Sequence, residues 1–169
     1  MNKNIPILYD SFFKEVSEEI ISDPDFLLMK NYTAHGKYTV YDHSLQVALL
    51  AYSYAKYYKK KVDHKSLIRG CLLHDFYLYD WHEKHGGHKL HGFRHPLFAL
   101  RNASKKYNLN KIERNMIKTH MFPLTFYFIP RYKESWIIQY IDKVCALHEM
   151  RYTFKEMKSK FLNFFLRTN

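Results

Sequence analysis

Between about Val40 and Lys60 neither proline nor glycine interrupts the chain, and Val47, Leu50, Ala51, Tyr54 and Tyr58 recur at the spacing of one helical face. A helix of that length with one apolar and aromatic stripe has to bury the stripe against other helices, because alone it would leave it in water. This segment therefore points to a helical bundle. The rest of the chain agrees: 47% of its 169 residues are hydrophobic, only 5 are Gly and 5 Pro, and no Ser/Gly-rich stretch separates one part from another. The length suits one domain with a real core and is short for two, so residues 1–169 are read as a single domain.

Further helices follow from their caps and periodicity. Asp10 or Ser11 opens a first helix to about Ile21, with Phe12, Val16, Glu19 and Ile20 along one side, and Asp23-Pro24 ends it. A short helix is expected over Asp25 to Met29, then a loop from Asn31 to Tyr38 containing Gly36. Thr39 and Asp42 make a capping-box-like start for the long helix. Asp63 caps the next one, where Leu67, Cys71 and His74 run parallel to Ile68, Leu72 and Asp75. Gly86, Gly87 and Gly92 make residues 76–92 a long loop. Pro96 then begins a helix to about Tyr107 with His95 at its mouth, and another runs from Leu109 to Lys111 as far as His120. After an aromatic connector, Leu124 to Ile129, a helix over Lys133 to Met150 and a last one over Tyr152 to Leu166, with Phe154, Phe161 and Phe165, complete the bundle.

Charge and cysteine usage narrow the function. The net charge of +11 favours an anionic ligand, either a phosphate-bearing small molecule or nucleic acid. Lys59, Lys60 and Lys61 are the densest basic run, and their place at a helix end reads first as dipole compensation. Residues 1–20 mix Lys3 with Asp10, Glu15, Glu18 and Glu19, unlike a secretory signal, and no apolar run reaches the roughly 18 residues of a membrane span. Cys71 and Cys145 sit in apolar helical patterns without CxxC spacing, so a reduced, cytoplasmic protein is expected.

Chemistry enters with His74-Asp75, a side-by-side imidazole and carboxylate at the end of an apolar helix. A buried Asp without a partner is costly, and this pair can serve one metal or two adjacent ones. His43 lies 31 residues upstream, four before Val47 and seven before Leu50, and so on the inward face. His95, His120 and Asp142 follow downstream, each beside apolar helix positions. Taken singly, each histidine reads as an ordinary core or surface residue; the ordered set does not.

In this order His43, His74, Asp75, His95, His120 and Asp142 resemble the HD-domain metal phosphohydrolases, over roughly residues 39–149. The resemblance implies an all-α HD-domain helical bundle. It also implies one divalent ion at His43, His74, Asp75 and Asp142, with Asp75 bridging to a second at His95 and His120. Mixed imidazole and carboxylate donors suit iron, manganese, cobalt or zinc. Such ions supply a nucleophilic hydroxide near neutral pH and stabilise in-line displacement at phosphorus, so the expected reaction is hydrolysis of a phosphate ester or anhydride, of a nucleotide above all. Arg94, Lys118 and Lys143 each stand within two residues of a proposed ligand; Lys143 should point elsewhere on its helix, leaving Arg94 and Lys118 as the phosphate clamp beside catalytic Asp75. His95 before Pro96, with His120 25 residues on, looks most like the small cytoplasmic phosphohydrolases of dinucleoside polyphosphates. The chain departs from many members in lacking Gly-Lys after His-Asp, where Phe76-Tyr77-Leu78-Tyr79-Asp80-Trp81 stands instead; core roles are expected for Phe76 and Tyr79.

Competing readings come from the same residues. His82, His85, His88 and His91 recur every third position but fall in a glycine-broken loop, and only His91 competes with His95 as a ligand. His64 and His148 read as surface residues. Some HD-domain proteins resembling myo-inositol oxygenase hold two irons with the same six-residue pattern, making a di-iron oxygenase the rival enzyme. Tyr52, Tyr54, Tyr57 and Tyr58 beside basic residues raise a non-catalytic nucleic-acid-binding domain, although helical spacing assigns Tyr54 and Tyr58 to packing.

Overall fold

A computed structural model describes residues 9–81 and 90–167, with side chains through Phe154. Seven helices occur among the described residues: α1 (Ser11–Ile21), α2 (Pro24–Leu28), α3 (Val40–Tyr57), α4 (His64–Leu73), α5 (His91–Lys106), α6 (Lys111–Thr119) and α7 (Lys133–Arg167). A small antiparallel hairpin, β1 (Thr33–His35) with β2 (Tyr38–Thr39), precedes α3. The protein is an all-α helical bundle apart from that hairpin.

Caps set most helix starts. The Asp10 carboxylate accepts the Phe13 N–H at 2.9 Å and the Tyr52 hydroxyl at 2.8 Å, which pins α1 to α3. Thr39 with Asp42, and Asn110 with Glu113, form reciprocal capping boxes on α3 and α6. Asp63 caps α4 through the Ser66 N–H at 3.0 Å, and Glu134 on α7 accepts the Asp63 N–H at 2.7 Å.

Four helices close a ring: α3 packs on α4, α4 on α6, α6 on α7 and α7 back on α3, while α1 covers α4 and α5 covers α6. Small residues allow close approach. Ala48, Ala51 and Ala55 are fully buried on α3, and a Cβ on Gly70 of α4 would come within 2.6 Å of the Met116 sulfur on α6. Phe13, Ile20, Phe26, Met29, Leu67, Ile68 and Leu72 fill the core around them. Buried Arg69 ties three helices, donating to Glu113 at 2.9 Å and to Glu19 at 2.6 Å.

Several elements differ from the sequence expectation, each for a local reason. Phe13 rather than Phe12 faces the core from α1, with Phe12 left 41% exposed. The loop expected over Asn31 to Tyr38 contains the hairpin, since Gly36 at φ 62° permits its turn and any Cβ there would run into Thr153 of α7. α5 begins at His91, a turn before Pro96, after Leu90 at φ 61° redirects the chain; His91 stacks on His95 at 4.6 Å and on Trp81 at 5.0 Å. The two helices expected after Lys133 are one, because neither Gly nor Pro stands between Lys133 and Arg167 to end it. Phe154 is 70% exposed rather than covering the core, and the side chains of Phe161 and Phe165 lie outside the described residues, as do His82, His85 and His88. No helix among the described residues is long and apolar enough to cross a membrane.

Candidate metal centre

The ring of helices converges its polar side chains on one point. His43 comes from the first turn of α3, His74 and Asp75 from the end of α4, His95 from α5, His120 from the end of α6, and Asp142 from α7. All six are buried. Three overlapping groups, His43/His74/Asp75, His74/His120/Asp142 and Asp75/His95/His120, each place their donor atoms within 4.8 Å of one another.

Helix geometry aims the imidazoles. The last carbonyls of a helix have no intrahelical donor, and His74 and His120 use that fact: Nδ1–H of His74 donates to Cys71 O at 2.7 Å, and Nδ1–H of His120 to Ile117 O at 2.9 Å. His95 Nδ1 likewise donates to His91 O at 3.0 Å. With the proton held on Nδ1, each ring turns an Nε2 lone pair inward, the tautomer a metal ligand requires. His43 is oriented differently. Its Nδ1 donates to both Glu149 oxygens, at 3.0 and 3.1 Å, and its Nε2 faces Asp142 Oδ1 at 3.0 Å.

The carboxylate of Asp75 divides the site. One oxygen, Oδ2, lies 3.6 Å from His74 Nε2 and 4.0 Å from His43 Nε2; the other, Oδ1, lies 3.2 Å from His95 Nε2 and 3.5 Å from His120 Nε2. Asp142 Oδ1 stands 3.7 Å from His74 Nε2 on the first side.

The donor set fits divalent transition ions. His74 Nε2 and Asp75 Oδ1 are buried and make no hydrogen bond, a costly state unless a cation satisfies them. His95 Nε2 and His120 Nε2 face each other at 2.8 Å while both Nδ1 atoms donate elsewhere. Two such lone pairs repel, whereas two nitrogens about 2.1 Å from one ion at roughly a right angle would stand about 3 Å apart.

The electrostatics agree. Burial opposes ionisation of Asp75 and Asp142, but the imidazoles around each outweigh it and hold both carboxyls well below the usual range. Burial also works against a charged His43, yet its bonds to Asp142 and Glu149 prevail and push it up to about 10. Burial, joined by the charges of His74 and His95, drives His120 down to about 3.

A cavity of about 610 Å³ opens onto Asp75, His95, His120 and Asp142. Ala34, His35, Tyr77, Trp81 and Lys143 contribute to its walls. Lys143 is the only Lys or Arg among the described residues lining it, and its Nζ donates to the His120 and Gln139 carbonyls at 3.2 Å each. Neither residue of the clamp expected from sequence lines the cavity. Lys118, two residues before His120, projects away from the cavity with its Nζ 4.3 Å from the Phe128 ring centre, and exposed Arg94 lies over Phe98 at 5.4 Å.

His95 belongs to the cluster, while His91 lines the same cavity with its ring stacked on His95 and its Nδ1 3.1 Å from the Tyr79 hydroxyl. Phe76 packs in the core against Phe26 and Tyr107, whereas Tyr77 and Trp81 of the same segment reach the cavity. His64 is half-buried against Tyr52, and His148 is exposed. Cys71 and Cys145 are buried and unpaired. Sequence reasoning missed Glu149, although it stands seven residues after Asp142 and so on the same stripe of α7. It also missed His35, whose ring lies 5.4 Å from His43 and whose place depends on the unexpected hairpin.

Comparison with known proteins gives one finding. A family model described as HD domain matches residues 40–147. No curated protein and no solved structure matches the chain.

Proposed function

The chain belongs to the HD domain family, and from that premise we propose that it is a metal-dependent hydrolase of a phosphate ester or anhydride carried by a nucleotide. The observation that carries the proposal is the Asp75 carboxylate, which turns one oxygen to His43 and His74 and the other to His95 and His120. A carboxylate shared between two histidine-rich half-sites would let these residues hold one or two divalent ions. Iron, manganese, cobalt or zinc held there would supply Lewis acidity and an activated water.

The protein's own groups do the remaining work. Glu149 fixes the His43 ring, and the Cys71, His91 and Ile117 carbonyls fix the other three imidazoles. Lys143 has three N–H donors and gives two to carbonyls, leaving one for a phosphoryl oxygen at the cavity wall. Tyr77, Trp81 and Ala34 exclude water from one side and present aromatic surface to a base.

Metal analysis of the untagged protein, followed by phosphate release from a nucleotide panel with Mn, Fe, Co or Mg, tests the proposal. Metal-dependent release supports it, and Asp75→Ala, which removes the carboxylate shared by both half-sites, should then abolish metal binding and release together. Bound iron with oxygen consumption and no phosphate release would replace it with oxygenase chemistry. Absence of metal binding would refute it.

A further inference from the structure

At the far end of α3 from His43, a second cavity of about 430 Å³ is lined by Tyr54, Lys60, Lys61, Lys133, Trp136 and Tyr140 among others. Tyr54 stands 11 residues beyond His43, or about 16 Å along the helix axis. Trp136 and Tyr140 leave nearly half of their surfaces open, at 47% and 45%, although neither contributes to the metal centre.

Rings and cations share this surface. Tyr57 and Tyr58 lie 5.0 Å apart, Tyr58 and Tyr54 4.9 Å, and Tyr54 and Tyr140 6.3 Å, and Trp136 lines the same cavity as Tyr54 and Tyr140. Lys60 Nζ sits 5.9 Å from the centres of both the Tyr54 and Tyr58 rings. Tyr54 packs against the core as its spacing predicts, whereas Tyr58 is 42% and Tyr57 48% exposed. The neighbouring acids are engaged in capping: Glu134 accepts the Asp63 N–H, and the Asp63 carboxylate accepts the Ser66 N–H and hydroxyl. Neither acid forms an ion pair with Lys60, Lys61 or Lys133 among the described residues, which leaves those charges open to an outside anion.

We propose that this face binds single-stranded nucleic acid at a site separate from the metal centre. Bases have planar faces for the tyrosine and tryptophan rings, and the phosphates between them match the lysines of the same face. An acidic peptide would answer the lysines and leave the rings without partners. The succession of rings from Tyr57 through Tyr58 and Tyr54 to Tyr140 also extends past the length of one nucleotide, which favours a strand over a free mononucleotide.

Fluorescence anisotropy of a labelled oligothymidylate of about 12 nucleotides with the full chain tests this. Three lysines facing phosphates give a log–log salt slope of about −2, so binding should weaken about 20-fold between about 50 and about 200 mM salt. Trp136→Ala and Tyr140→Ala should each weaken binding about tenfold. The Lys60→Gln/Lys61→Gln pair should bring the slope to about −0.7. Far-UV circular dichroism of each variant should match that of the unsubstituted chain and reports that the fold is intact. No binding at about 50 mM salt, or binding indifferent to all these substitutions, would overturn the proposal. Thymidine monophosphate competing as well as the oligonucleotide, nucleotide for nucleotide, would make free nucleotide the ligand and overturn it too. The readout involves neither metal nor phosphate release, so the hydrolase reading can fail without touching it.

Discussion

Replacing Glu149 by Gln perturbs the metal centre without removing any residue that faces the cavity. Glu149 is fully buried, and both of its oxygens lie within 3.1 Å of His43 Nδ1. The amide keeps the volume and one acceptor but loses the charge that makes the imidazole a better donor to an ion. Carboxylates behind metal-bound histidines are worth about 10- to 100-fold in affinity, or about 1.4 to 2.8 kcal/mol. The loss should fall on the half-site of His43, His74 and Asp142, because His95 and His120 are oriented by carbonyls instead. Chelator competition on the metal-stripped protein, titrated with Mn, Co or Zn, reads the two affinities. One should drop by at least about tenfold while the other moves less than about threefold. Equal affinities in variant and parent, with unchanged circular dichroism, would refute the argument that Glu149 orients His43 for a metal.

Other predictions use different parts of the structure. His120→Ala should lower occupancy of the half-site shared with His95 and leave most of the other, and two ions per chain by elemental analysis would contradict the division by Asp75. Lys143→Gln should keep its metals and lose about 10- to 100-fold in kcat/KM, while Arg94→Ala and Lys118→Ala stay within about twofold; the reverse pattern in steady-state kinetics would restore the sequence-based clamp. Glu113→Ala removes the inner partner of buried Arg69 and half of a capping box, so urea unfolding should show a loss of about 2 to 4 kcal/mol, and a loss below about 1 would mean that Glu19 alone satisfies the guanidinium. Stability of the metal-stripped chain should peak near pH 6.5. Raised His43 contributes stability that is present below its ordinary 6.5 and lost as pH rises through about 10. Depressed His120 works oppositely: the unfolded ring takes its proton near 6.5 and the folded one only near 3, so stability falls over that interval, and Asp75 and Asp142 add to the loss below the ordinary carboxylate value of 3.8. Unfolding free energies that stay flat from about pH 6.5 to about pH 9 would refute the paired His43.

The bundle was legible because its helices are marked locally. Thr39 with Asp42, Asp63 and Asp10 are caps written in the sequence, and the stripe beginning at Val47 could face only other helices. The hairpin was not legible. Its strands are too short for alternation to show, and its turn depends on Gly36 lying against Thr153, more than a hundred residues away. The start of α5 was hidden similarly, since Pro96 reads as a first-turn residue while the stack of Trp81, His91 and His95 that carries the helix back to His91 exists only in three dimensions.

The lysines show where helix phase stops being a guide. Position 118 precedes His120 by two residues, about 200° around α6, and phase alone sends it to the opposite side, where Phe128 receives it. Lys143 follows Asp142 by one residue, about 100° away, and the same rule argues for exclusion. The rule fails because the cavity is wider than one helical stripe: Asp142, Lys143 and Ala146 all line it. It fails also because the Lys143 stem is long enough to bring Nζ back to the His120 carbonyl at the end of α6. That carbonyl is available for the reason that aims the His120 ring: the last turn of a helix has acceptors without donors. The end of α6 thus presents His120 Nε2 to the cluster and holds the cavity's one described lysine beside it. One helix terminus positions both the cavity's lysine charge and an inward imidazole lone pair.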